Sequence, residues 1–449
     1  MAHVSLSEHF TYSKIFRIVI APVLMMIFSS FYSVIDGIFL SNYAGEGAFS
    51  GVNLVFPYIM ILAGLGMMFG SGGVALVTKT LGEKDQKKAN NYFSMIIYSV
   101  IVVGVFFTII GYFTVEPFAR AMASLTNSSD SEAMLDAAIR YGKTMMLGIG
   151  LFMLQNAFQT FFSGAEKPFT GFLFIGLAGV TNIILDWLLI GVANMSVEGA
   201  AIASIAGMVV GGILPIFYFI FKKNIPFNLG KCTFDFKALL KVIGNGSSEF
   251  VSNIASSIVS MCYNIQLLRY VGPSGVSSYG ICMYISYAFM AAFMGYSVGI
   301  SPVVGYNFGA QNHEELHNVF RKSIVIICIT GVVMFGLAEL AGPSFARIFS
   351  NGDEALQTLS SRALFIYSFV YLTCGLSIFG SGFFTGLNNG MISAIISIVR
   401  SLVFELAAIW ILPLMLQSDG IWSAAPFAEI GSTAMSVFFF VFEKKKYHY

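Results

Sequence analysis

Apolar residues run along this chain in long blocks rather than in short alternations. Between turn and charge signals the blocks fall near 14–40, 52–79, 91–115, 136–163, 168–192 and 197–222, and again near 238–270, 275–308, 318–341, 356–385, 390–415 and 419–442. At ~1.5 Å of helix per residue each crosses, upright or tilted, the ~30 Å hydrocarbon core of a bilayer. The pattern predicts an all-α polytopic membrane protein with twelve transmembrane helices. The one long basic connection, residues 222–241, opens with Lys222 and Lys223, holds Pro226 and Gly230, and ends at Lys241. It divides the predicted organisation into a six-helix lobe over 1–222, a cytoplasmic linker over 223–237 and a second six-helix lobe over 238–449.

Composition agrees. With 57% hydrophobic and 10% charged residues, the chain stands far from the roughly 25% charge of soluble domains, and its mean hydropathy is +0.79. A net charge of +1 leaves no basic surface for a nucleic acid. Alternate loops place 17 of the 24 Lys and Arg residues on the side of the N-terminus, 6 on the other side and Arg400 inside a span. The side richer in bases is the cytoplasm, so both termini are expected there, in a plasma membrane. The first apolar block leads straight into further spans and reads as a retained helix, not a cleaved signal. Asn127-Ser128-Ser129 reads as a glycosylation sequon on the outer side, without meaning in a bacterial chain. The cysteines, Cys232, Cys262, Cys282, Cys328 and Cys374, form no CxxC pair and read as packing residues, not metal ligands.

The halves repeat. Leu81-Gly82-Glu83-Lys84-Asp85 answers Phe308-Gly309-Ala310-Gln311-Asn312 at an offset of 227, and Phe118-Ala119-Arg120 answers Phe345-Ala346-Arg347 at the same offset. Phe161-Phe162-Ser163-Gly164 answers Phe383-Phe384-Thr385-Gly386 at 222. Six spans per half give parallel repeats about an axis normal to the membrane. On Pro22, Tyr32, Asp36, Pro57, the Leu81-Gly82 loop, Asn182 with Asp186, and Gly199 to Ser204, the chain resembles the multidrug and toxic compound extrusion family of secondary transporters, over nearly its whole length. Within that family it is most similar to the branch whose proton or sodium site lies in the N-terminal lobe.

An ionisable group inside a span costs at least ~2.5–3.5 kcal/mol near the helix centre, so each one calls for a partner, a wet cavity or a function. Asp36 lies ~28 Å of helix beyond Arg17 and Asp186 ~27 Å beyond Pro168, so their depths agree. Asn182 sits one turn below Asp186 on the same face, and Ser204 lies ~10 Å into its span from the outer side. The four supply hard oxygens for a monovalent cation, and close carboxylates can share one proton; the alternative is that the acids only brace helices near the outer interface. The resemblance implies a coupling quartet of Asp, Asn, Asp and Thr at these positions, where Ser204 keeps the hydroxyl and loses a methyl.

The second lobe reads differently. Its tenth span has no carboxylate where another branch of the family carries an Asp. Glu249 and Arg400 both lie at ~15 Å depth and are expected to form a structural ion pair, with Glu405 as the competing partner and a second ion or substrate role for Glu249 as the alternative. Tyr32, Asn53, Gln155, Asn156, Gln159, Glu249, Tyr263, Asn264, Tyr284 and Tyr287 are candidates for the substrate cavity, in a chain whose Met and aromatic residues suit organic cations. Small-xxx-small spacings such as Gly66 to Gly70 serve helix contact. All five histidines lie outside the spans and no GxxxxGK[ST] occurs, which argues against an enzyme. The expected function is antiport: export of small amphipathic, often cationic compounds in exchange for protons or sodium, with no cofactor beyond that ion and no obligate protein partner. A lipid-linked saccharide flippase of the same superfamily, a membrane-embedded enzyme and a channel are the alternatives.

Overall fold

A computed structural model of the chain describes residues 5–40, 43, 46–124, 131–350 and 353–449; the Asn127 sequon lies outside them. Among the described residues every regular element is helical. The first half comprises α1 (Tyr12–Phe39), α2 (Glu46–Gly82), α3 (Gln86–Ser124), α4 (Ser131–Gly164), α5 (Pro168–Asp186, continued by a π-helical turn Trp187–Val192) and α6 (Ser196–Phe221). The second comprises α7 (Phe236–Tyr270), α8 (Pro273–Gly309), α9 (His313–Phe349), α10 in two segments (Glu354–Tyr367 and Val370–Gly386), α11 (Gly390–Ile398, a π-helical turn Val399–Phe404, then Glu405–Ile411) and α12 (Ser418–Phe442).

Polar side chains set the starts of these helices. Thr11, Asp235, Asn312 and Asp353 stand just before α1, α7, α9 and α10, and each accepts a first-turn backbone N–H, which satisfies a donor the helix itself leaves open. Among the described residues ten helices are long and apolar enough to cross a membrane singly, and the two segments of α10, bent by 49°, are so when taken together. The bend falls at Ser368, whose hydroxyl donates to Phe365 O and to Glu339. The remaining helix, α7, is as long, 35 residues, but carries Asn245, Ser248, Glu249, Ser252 and Asn253 in its first half. It stands between the halves, packed on α2 and α11, where polar groups escape lipid.

The repeat is visible in the backbone. Lys84 and Gln311, 227 positions apart, both take positive φ in equivalent turns (64° and 54°), as do Glu166 and Asn388, 222 apart (57° and 58°). Two buried clusters form the cores. One is built from residues between Leu40 and Val242, the other from residues between Val259 and Tyr449 together with Leu6, Phe10, Ile15, Ile18 and Val19. The start of the chain therefore packs into the second half, while Ala238 and Val242 at the start of α7 pack into the first. Residues 225–233 are clamped along α3: Asn228 N donates to Asn90, Gly230 N to Ser94 and Thr233 N to Asn91.

Contacts between the halves gather toward the basic, cytoplasmic end. Gly72 and Gly246 let α2 and α7 touch backbone to backbone, since a Cβ on Gly246 would collide with Met68 O and one on Gly72 with Val242 O. Gly82 and Gly309 do the same for α2 and α8. Asn388 Nδ2 crosses to Ala75 O at 3.0 Å.

Candidate functional site

In the first half, α1 and α5 pack side by side. Gly179 faces Phe28 and Tyr32, so the helices approach closely one to two turns below the acids. Asp36 and Asp186 come within hydrogen-bonding reach of each other. Asp186 is fully buried and Asn182 nearly so; Asn182 Nδ2 points at Ser204 Oγ, 3.4 Å away on α6. The four residues expected from sequence are thus brought together by three helices. Immediately beyond Asp186 the α5 backbone loosens into its π-helical turn, a deviation that recurs at functional positions of helices.

The hydrogen-bond inventory of this cluster is one-sided. Asp36 Oδ1, both oxygens of Asp186 and Asn182 Oδ1 are buried, and none has a hydrogen-bond donor among the described residues. Buried acceptors are nearly always satisfied, and two adjacent carboxylates cannot both ionise without a cation or proton between them. Four inward oxygens without a donor fit a monovalent cation or a shared proton. Tyr32 stands within reach of Gln155 and within electrostatic range of Asp36, and Tyr141 on α4, absent from the sequence candidates, lies within electrostatic range of both acids. Nothing in its sequence surroundings distinguishes Tyr141 from a packing tyrosine.

The cavity candidates separate. Gln155 and Gln159 are buried in the first half, and Gln159 Nε2 points to Met26 Sδ at 4.0 Å. Asn156 is used internally, donating to Ala63 O at 3.1 Å. Asn53 is exposed and Asn264 half-buried. Tyr284 and Tyr287 are exposed on α8. Tyr263 is packed inside the second half. It is buried, stacks on Tyr279 with centroids 4.7 Å apart, and directs its hydroxyl to Glu405 Oε1 at 3.4 Å.

The expected Glu249–Arg400 pair is not formed. Arg400 Nε lies 2.7 Å from Glu429 Oε1 on α12, and Ser377 Oγ donates to the other oxygen of Glu429 at 2.7 Å. Glu249 lies within electrostatic range of Arg400 but sits on another face. Gly246 and Asn253, one turn to either side of it, pack against α2, so the side chain is directed between the halves, into a small cavity of about 20 Å³ lined also by Ser71, Thr160, Ser297, Ser301 and Thr385. Arg400 lies in the π-helical turn of α11, which packs on α12. Glu429 was legible as the acid in the interior of the last apolar block; matching depths does not single it out, because depth carries no information about helix face.

The family model described as MatE matches residues 22–188 and 250–411, once in each half. The chain is 25% identical over 419 residues to "Multidrug export protein MepA" of Staphylococcus saprophyticus subsp. saprophyticus, covering 92% of this chain and 89% of that one. To the protein of that name in Staphylococcus haemolyticus it is 27% identical, with 88% and 86% covered. A solved structure described as the outward-facing conformation of a multidrug resistance MATE family transporter superposes with a TM-score of 0.90 at 21% identity, over 100% of this chain and 98% of that one. The doubled match, the twelve-helix repeat and the shared fold lead to one assignment: the chain belongs to the MatE family.

Proposed function

We propose that this protein is a secondary antiporter that exports small, amphipathic, often cationic organic compounds from a bacterial cell across the plasma membrane, in exchange for protons or sodium ions. The observation that carries the reading is the set of four buried acceptor oxygens at Asp36, Asn182 and Asp186 that have no donor among the described residues. A cation or proton entering that set neutralises the excess negative charge, and this changes how the neighbouring Tyr32–Gln155 surface receives a cationic solute. Ion and solute are then linked by a coupling free energy. The seal at the cytoplasmic end, where α2 meets α7 and α8 through glycines, suits an arrangement that takes up the ion from outside. The names of the curated relatives support the choice of cargo.

The test is efflux of a fluorescent organic cation from loaded vesicles containing the purified protein, driven separately by a proton gradient and by a sodium gradient. Acceleration by one gradient supports exchange and identifies the ion. Equal efflux with and without either gradient would overturn it.

A further inference from the structure

We infer that the protein holds an anionic phospholipid at its cytoplasmic rim, in a cavity between its two halves that is separate from the acidic cluster. The cavity measures about 450 Å³ and opens between the end of α2, the start of α7 and the start of α11. Lys79 and Lys241 line it from opposite halves of the protein, with Asn245 and Asn388 between them.

Charge and depth together select the occupant. Lys241 has no ion-pair partner among the described residues, and Lys79 has only Glu83 at 3.9 Å, with the Phe308 ring 5.3 Å below its ammonium. The cavity therefore carries net positive charge. The start of α11 adds first-turn N–H groups; Asn389 takes only that of Ile392, and such a terminus favours phosphate. Asn245 is 5% exposed; its Nδ2 is held by Thr385 O at 2.9 Å, while its Oδ1 has no partner among the described residues. This wall is polar, and its free acceptor suits a hydroxyl of a glycerol head group rather than the phosphate itself.

Deeper in the membrane the lining changes character. Leu76 lies one turn, ~4.5 Å, inward of Lys79 along α2, and Ala394 one turn, ~6 Å, inward of Gly390 along α11. Met391, at the mouth, is 74% exposed in a helix that crosses the bilayer. Two lysines at head-group level above an apolar, outward-opening floor match a phosphate with acyl chains attached. A free phosphate has no use for that floor. Basic pockets between helices on this side are a recognised form of lipid recognition. Because Lys79 belongs to the first half and Lys241 and Gly390 to the second, a lipid seated here bridges the two where Asn388 already reaches Ala75.

The experiment uses the full chain in lipid nanodiscs of phosphatidylcholine alone or with phosphatidylglycerol. Native mass spectrometry is expected to show one phosphatidylglycerol retained per chain against excess phosphatidylcholine, and the melting temperature to rise by several degrees. Both effects should be lost in Lys79→Gln/Lys241→Gln and kept in Lys445→Gln/Lys446→Gln, which removes equal charge from the tail. Glu83→Gln frees Lys79 and should increase retention, giving a reading that does not depend on a loss variant folding. Indifference of the wild type to phosphatidylglycerol, an equal loss in the tail variant, or the same stabilisation by inorganic phosphate in phosphatidylcholine would each overturn the inference.

Discussion

Arg400 and Glu429 form a buried ion pair, Nε to Oε1 at 2.7 Å, with side chains only 17% and 8% exposed. Removing one partner leaves the other charge uncompensated inside the bundle. Arg400→Met and Glu429→Leu are each expected to lower stability by about 3–5 kcal/mol, whereas the double change should recover most of the loss. Detergent melting of the three variants measures this. Glu249→Gln, outside the pair, should melt close to the unaltered protein; a loss as large as that of Glu429→Leu would mean that Arg400 depends on Glu249 after all.

Asp36→Asn and Asp186→Asn keep volume and hydrogen-bonding capacity while removing the titratable charge. Neither acid holds a helix start or an ion pair with a basic residue among the described residues, so both variants should insert and fold. Gradient-driven efflux should fall by about 5- to 150-fold, the usual span of a coupling free energy. Near-normal efflux in two well-folded variants would leave the acids a structural role and turn attention to Glu249.

What could be read from the sequence follows from what each signal measures. Span positions were legible because lipid imposes continuous apolar length, and α1 to α12 start and stop within a few residues of the apolar blocks except where helices run on into the loops, as α3 does to Ser124 and α9 to Phe349. Depth was legible too, through ~1.5 Å per residue, and it brought Asp36 and Asp186 to one level with Asn182 one turn below. Rotation was not. Glu249 and Arg400 share a depth, but α7 turns Glu249 toward α2 while the π-helical turn of α11 presents Arg400 to α12. The crossing of Leu6 and Phe10 into the second core also had no sequence signal, since a short apolar pair ahead of the first span has no period to read.

Gly246 and Gly72 are tested by bulk. A side chain at either position meets the backbone of the facing helix, and backbone does not yield as a side-chain tip does. Gly246→Val should cost about 1–3 kcal/mol in the cytoplasm-closed state and shift the protein toward cytoplasmic opening. Gly336→Val on α9, with open space around its Cβ, is the control. Equal transport rates and melting temperatures in both variants would mean that the α2–α7 seam is not a closing surface.

The segment before α1 is attached to both halves, and its buried apolar side chains belong to the second. Toward the first half, Ser5 Oγ and Leu6 N both donate to Glu166 Oε1, at 2.8 and 2.6 Å. Toward the second, Phe10 N donates to Glu315 Oε1 at 2.8 Å, and Phe10 O accepts from Asn318 and Lys322 at 2.9 and 2.7 Å. Leu6 and Phe10 are buried in the second core. When the halves part on the cytoplasmic side, the attachment at Glu166 should therefore release first and the one at Glu315 should travel with α9. Phe10→Ala is expected to destabilise the fold by about 3–5 kcal/mol, as loss of a core aromatic does. Glu166→Ala should cost far less and instead raise the frequency of cytoplasmic opening. The readout is the rate at which an impermeant thiol reagent, applied from the cytoplasmic face, modifies a cysteine placed at Ser71, which lines the small cavity between the halves. Faster modification in Glu166→Ala than in the parent supports an ordered release. An unchanged rate there, together with a faster rate in Glu315→Ala, would reverse the order and make the second-half attachment the one that opens.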